Sequence, residues 1–266
     1  MMTIRDAAIG NVLANPDSDD ARLELAAVLQ KAGDPQGELI VTQTEAASEL
    51  RAYGPTPDFR RLTLRSNELI ARYQATWMAP VRALADNPII IRGLVEGVTL
   101  AATKFLSIAP QLYKLAPIRQ IILVDTNGAI DEIAMSPYVN QLVSLSFYNR
   151  SKVAGIGDEG ARALASSAHV RKLKRLGLQA NDLSIDGMEA IASSSRLKKL
   201  IYVELGGNRV RSPVESYGVD GMTGLVVRQG TSLEADGQAL EAKYGRIAWL
   251  HAPSQLTRYP PEDADF

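Results

Sequence analysis

The sequence predicts an α/β fold: helices over the first 88 residues, then short strands alternating with helices. Three observations carry this reading. Ala21, Leu25, Val28, Leu29 and Ala32 fall at i, i+4, i+7, i+8 and i+11, one face of a helix. From residue 92 onward, a pattern of aliphatic or aromatic residues spaced L-x-x-L-x-L occurs five times in order. Residues 157–165 and 185–192, which lie between occurrences, pair an aspartate with a nearby glycine, then small residues and a large aliphatic, as a closely packed helix requires.

The N-terminal elements follow from their punctuation. Residues 15–20 form a turn in which Ser18 or Asp19 can cap the helix behind them. Gly33 is placed to end that helix, and Asp34-Pro35 restarts the chain. A third helix is expected over residues 36–51, broken by Gly54-Pro55-Thr56-Pro57. A fourth carries Leu62, Leu69, Ile70, Tyr73 and Trp77, with Pro80 and Pro88 bracketing its end. A boundary is expected between Ala85 and Arg92.

The repeated pattern is met by Val95, Val98 and Leu100; Ile118, Ile121 and Leu123; Leu142, Leu145 and Phe147; Leu173, Leu176 and Leu178; and Leu200, Val203 and Leu205. Central positions are 23, 24, 31 and 27 residues apart, near the 20–29 of leucine-rich repeats. The polar stretch 149–157 accommodates the longest spacing. Asn181 and Asn208 follow the last two strands, where an asparagine amide can bond a turn that has no strand partner. One strand and one helix per unit predict a short leucine-rich-repeat solenoid, with a parallel sheet on its concave side and helices outside. The expected organisation is a helical cap over 1–88, repeats over 89–210, and a C-terminal cap and tail over 211–266. In that last part, residues 237–244 read as a helix stopped by Gly245, 247–250 as a short strand, and 258–266 as a mobile acidic, proline-rich end.

Composition narrows the function. With 29 basic and 30 acidic residues the formal net charge is −1, which argues against a general nucleic-acid binder. No cysteine is present, so disulfides, thiol nucleophiles and cysteine metal sites are excluded, and two histidines exclude a multi-histidine centre. Residues 1–11 do not read as a signal peptide and no apolar stretch approaches the length of a membrane span, so a cytoplasmic setting is expected.

Catalytic constellations are lacking. Ser166 and Ser167 precede His169 without a G-x-S-x-G elbow, and the histidine reads as a cap residue. His251 reads likewise. Asp17, Asp19 and Asp20 lack the glycine and glutamate of a calcium loop and are better explained as helix caps. Gly206-Gly207-Asn208 lacks the lysine and hydroxyl of a phosphate loop. No catalytic, cofactor or metal residue is expected.

What remains is surface. Residues between the buried aliphatics of each strand point to the opposite face. Glu96, Arg119, Gln120, Tyr148, Lys174, Arg175, Gln179, Tyr202 and Glu204 are therefore the candidate partner-binding residues. Arg119, Lys174 and Arg175 beside Tyr148 and Tyr202 suit an acidic protein partner; the alternative is an ordinary solvated sheet face.

Residues 14–23, Ala14-Asn15-Pro16-Asp17-Ser18-Asp19-Asp20-Ala21-Arg22-Leu23, precede Gly33-Asp34-Pro35-Gln36-Gly37-Glu38-Leu39-Ile40. Together they resemble the bacterial repeat-companion domain found mainly in myxobacteria and planctomycetes, which commonly precedes leucine-rich repeats. Leu69-Ile70, Trp77-Met78-Ala79-Pro80-Val81 and Arg92-Gly93-Leu94-Val95-Glu96-Gly97-Val98 also fit. The repeats are similar to the ribonuclease-inhibitor class. The resemblance spans about residues 5–210, with 240–245 and 249–250. One departure is Leu25-Ala26-Ala27-Val28-Leu29, where such proteins usually carry Tyr-Ala-Asp-Trp-Leu. The resemblance implies no enzymatic activity. The expected function is non-catalytic binding of a partner protein, as an immunity-type inhibitor of a cognate toxin or as a signalling scaffold. An enzyme with its site in the N-terminal helices is the remaining alternative.

Overall fold

The computed structural model describes residues 3–126, 128–149, 154–209, 214–219, 226–232 and 235–251. The expected mobile end at 258–266 lies outside the described residues. The chain opens with α1 (Ile4–Ala14), α2 (Asp19–Lys31), α3 (Gln36–Tyr53) and α4 (Pro57–Arg82). Two strands follow, β1 (Asp86–Ile91) and β2 (Leu94–Ala101), then α5 (Phe105–Leu115). Strands and helices then alternate: β3 (Gln120–Val124), α6 (Ile130–Met135), β4 (Ser144–Tyr148), α7 (Gly157–Ser166), β5 (Arg175–Gly177), α8 (Ile185–Ser193) and β6 (Tyr202–Glu204). β7 (Val214–Val219), β8 (Val226–Ser232) and α9 (Ala235–Tyr244) complete the described elements. The class is α/β: β1 to β6 form one sheet in sequence order, antiparallel at β1–β2 and parallel from β4 to β6.

The described residues fall into two compact units: the chain up to Thr99 with Ile108–Gln120, and Leu100–Ser107 with the chain from Ile121 on. In the first unit the helix ends follow local chemistry. Thr3 and Asp6 form a reciprocal capping box on α1. The Ser18 hydroxyl accepts from the Ala21 amide at 3.1 Å, and Thr56 caps α4 with Pro57 in its first turn. After α2, Gly33 takes φ +72° and Asp34 N–H closes onto the Leu29 carbonyl at 2.9 Å. Val12, Ala21, Leu25, Ala26, Leu29 and Ile40 form the core between α1, α2 and α3.

The sequence gives no warning that β1 is a strand. It pairs with β2 through a two-residue turn, Arg92 (φ +48°) and Gly93 (φ +81°), which matches the twist of a hairpin. Gly93 is also pressed against α3, where a Cβ would lie 2.3 Å from Ile40 Cγ1. Its amide donates to Gln43 Oε1 at 2.6 Å and its carbonyl accepts from Gln36 Nε2 at 3.0 Å.

In the second unit, strand residues alternate between a buried face and an open one. Ile121, Leu123, Leu145, Phe147, Leu176 and Val203 are buried, as are Leu164 and Ile191 of the helices. All fifteen positions of the repeated pattern along the chain are buried.

Two hydrogen-bond ladders link successive strand–helix segments of this unit. After the strands, Asn149 Oδ1 accepts from Thr126, and its amide donates to Asn181 Oδ1 at 2.8 Å. Asn181 donates to the carbonyls of Phe147 and Gln179, both at 2.9 Å, while its own N–H reaches Asn208 Oδ1 at 2.9 Å. Asn208 in turn donates to the Leu178 and Leu205 carbonyls. After the helices, the Ser167 hydroxyl donates to the Ala134 carbonyl and the Ser194 hydroxyl to that of Ala165, both at 2.5 Å. Asp158 joins α7 to the start of α8, accepting from Ser184 N, Ser184 Oγ and Gly187 N.

At the C-terminal end the expected helix forms as α9 and Gly245 takes φ +77°. The strand expected at 247–250 is instead a 3₁₀ turn, Ala248–His251. Local bonds explain the difference: Ile247 N–H donates to Glu241 Oε1 at 2.8 Å and Leu250 N–H to the Ile247 carbonyl at 3.1 Å. β7 and β8 pair antiparallel, an arrangement the sequence pattern does not announce.

Candidate functional site

The open face of the second unit carries most of the anticipated binding residues. Register places Ser144, Arg175 and Tyr202 side by side in one row, and Ser146, Gly177 and Glu204 in the next. Small residues on β4 and glycine on β5 make this row low. A Cβ on Gly177 would meet Ser146 Oγ at 2.3 Å, so the serine side chain lies over the glycine. The Arg175 guanidinium sits over the Tyr202 ring, 5.5 Å from its centroid, a cation–π contact that orients both groups. Tyr148 is 58% exposed, and Ile122 and Ile201 also reach solvent. Gln179 is exposed; Lys174 and Glu204 are half-buried. The backbone at Lys174 is anchored on both sides, its N–H to Val143 and its carbonyl to Ile201 and Tyr202.

Glu96 and Arg119 do not belong to an open face. They are 0% and 2% exposed, inside the first unit. Alternation misleads here because β2 is covered on both sides, with Glu96, Gly97 and Val98 buried in succession. Gln120, also anticipated on the face, is half-buried at the end of the same unit.

Around Glu96 lies a group of charges that the sequence did not reveal. Arg22 Nη2 donates to Glu96 Oε1 at 2.5 Å, and Arg92 Nη2 to Glu96 Oε2 at 3.3 Å. The Pro16 carbonyl accepts from Arg22 Nη1 at 2.8 Å and Arg92 Nη2 at 3.0 Å. Arg92 Nη1 also pairs with Asp19, and Arg119 Nη2 with Asp17. Burial lowers the proton affinity of the Arg22 guanidinium, against the attraction of Glu96; the same two influences act on Arg119, with the same net direction. Arg22 could be suspected only from its place beside Ala21, Leu25 and Ala26 on the apolar side of α2.

The remaining candidates have structural partners. In the acidic turn at 17–20 the helix cap is Ser18 and not an aspartate: Asp17 and Asp19 pair with Arg119 and Arg92, and Asp19 and Asp20 lie in the first turn of α2. His169 N–H donates to Ser167 Oγ at 3.0 Å, and its ring Nδ1 lies 3.0 Å from Asn140 Oδ1. His251 Nε2 lies 2.7 Å from Glu241 Oε1. Asn208 of the Gly206-Gly207-Asn208 turn is a ladder residue. Among the described residues, no group of three or more His, Cys, Asp or Glu is placed to hold a metal ion. No described helix is long and apolar enough to cross a membrane.

Comparison with known proteins finds no family model that matches the chain and no curated protein that matches its sequence.

Proposed function

We propose that this chain is a non-catalytic binding module of leucine-rich-repeat type, which holds a partner protein on the open face of β4, β5 and β6. The observation that carries this reading is the Arg175–Tyr202 stack, with Tyr148 exposed farther along the neighbouring strand β4. An oriented guanidinium and two tyrosines supply area and charge at low entropic cost, the mark of interface hot spots. Lys174 beside Arg175 gives the face a basic centre, which favours an acidic patch on the partner. In this reading the strand–helix segments form a short solenoid whose sheet side is the contact surface, and the helical N-terminal region is a repeat-companion domain. The setting is cytoplasmic and the role is inhibition of a cognate toxin, with a signalling scaffold as the second role within the same binding class.

The test is capture of partners from native lysate by the purified full chain and by the Lys174→Glu/Arg175→Glu variant. One stoichiometric protein, retained by the parent and lost by a variant of unchanged thermal midpoint, is the expected result. Equal capture by both chains would remove this face from the assignment.

A further inference from the structure

The buried charges of the first unit lead in a different direction from the open face. Arg22, Arg92 and Arg119 are 0%, 5% and 2% exposed, and among the described residues of this unit the only buried acidic side chain is Glu96. Asp17 and Asp19 complete the formal balance, but their side chains are 55% and 38% exposed, so water shares their charge. The interior of the cluster thus holds three cations against one anion.

Its hydrogen bonding is unequal in the same sense. Arg22 Nε, Arg92 Nε, Arg119 Nε and Arg119 Nη1 are buried donors with no acceptor among the described residues. A buried donor without a partner is costly, and more so on a charged group. Arg119 contributes two of the four, although its third nitrogen is engaged by Asp17.

We propose that this cluster binds a small monovalent inorganic anion of the halide class, held by the guanidinium N–H groups that the protein itself leaves without acceptors. Size follows from burial: the donor atoms are closed to solvent, which favours a monatomic ligand over phosphate or sulfate. Charge follows from the excess of buried guanidinium, which a neutral water would not offset. The burial that weakens the hold of Arg22 and Arg119 on their protons acts in the direction an internal anion would reverse.

Bromide is the probe. The full chain is dialysed into sodium methanesulfonate, and bromide replaces methanesulfonate at constant ionic strength while the thermal midpoint is followed. Binding to the folded state alone produces a saturable rise of a few degrees, complete within physiological salt of about 0.15 M. The rise is absent in Arg119→Met, which removes two of the open donors. Should that variant not fold, Arg119→Lys keeps a charge and removes the Nε and Nη1 donors. In bromide-soaked crystals of the parent chain, an anomalous peak is expected in contact with the Arg119 guanidinium. A flat titration, a rise that persists in the Arg119 variants, or a crystal with bromide at surface positions only or water at the cluster overturns the proposal.

Discussion

Replacing Glu96 with glutamine tests how far the first unit depends on one buried carboxylate. The side chain is completely enclosed and takes hydrogen bonds from Arg22 at 2.5 Å and Arg92 at 3.3 Å. Glutamine preserves the volume but removes the negative charge, and its amide group turns two donors toward guanidiniums that are themselves donors. Removing one partner of a buried ion pair costs about 3–5 kcal/mol, because the remaining charge stays out of water. A domain is stable by only about 5–15 kcal/mol, so this is a large share of the total. At about 4–8 °C per kcal/mol, the value for a domain of about 100 residues, the thermal midpoint of the unit should fall by roughly 12–40 °C.

The chain offers its own reporter for this measurement. It has two tryptophans, of which Trp77 lies in the first unit and Trp249 in the second. In a Trp249→Phe background, Trp77 fluorescence against urea follows the first unit alone. Adding Arg22→Met to Glu96→Gln should recover part of the loss, with a coupling of about 0.5–3 kcal/mol. A loss below about 1 kcal/mol from Glu96→Gln, or strict additivity of the two changes, would refute the view that Glu96 organises the cluster.

Two further outcomes concern the second unit. Asn181→Ala removes the donors to Phe147 and Gln179 and the acceptor for Asn149 at a fully buried site; a loss of about 3 kcal/mol or more is expected by urea denaturation, with faster amide exchange at Ile156. Asp158 is pulled both ways, burial raising its pKa and hydrogen bonds from Ser184 and Gly187 lowering it, with a net lowering. The folded state then binds its proton less readily than the unfolded chain, so its contribution is present above the ordinary aspartate range and lost as pH falls through the folded value. Asp158→Asn should therefore flatten the acid limb of the stability–pH curve, and an unchanged limb in urea titrations below about pH 4 would contradict this.

The strands of the second unit were legible because burial on one side leaves a period-two signature, and every marked aliphatic is indeed enclosed. Asn181 and Asn208 stood at a constant offset from their strands and could be read as turn residues. Asn149 stands one residue nearer to Phe147 and escaped that rule, although it completes the ladder. The serines at 167 and 194 were less visible still, since their function depends on carbonyls in the preceding segment. Glu96 and Arg119 misled for the opposite reason. Their alternation fitted a strand with one open side, but strand periodicity does not reveal what covers the second side. Burial of charge is a tertiary property: Arg22 and Glu96 are 74 residues apart and meet only in the folded chain.

The paired ladders also set the quantum in which this part of the chain can change length. Each asparagine or serine bonds to the segment before it, so a single inserted residue between Ser167 and Asn181 would shift one rail against the other and strand donors on both. Removing or duplicating a complete span from one ladder serine to the next returns every rung to an equivalent partner. Extension by whole modules is the kind of growth this hydrogen-bond lattice permits, and it offers a direct way to widen the sheet face for protein engineering.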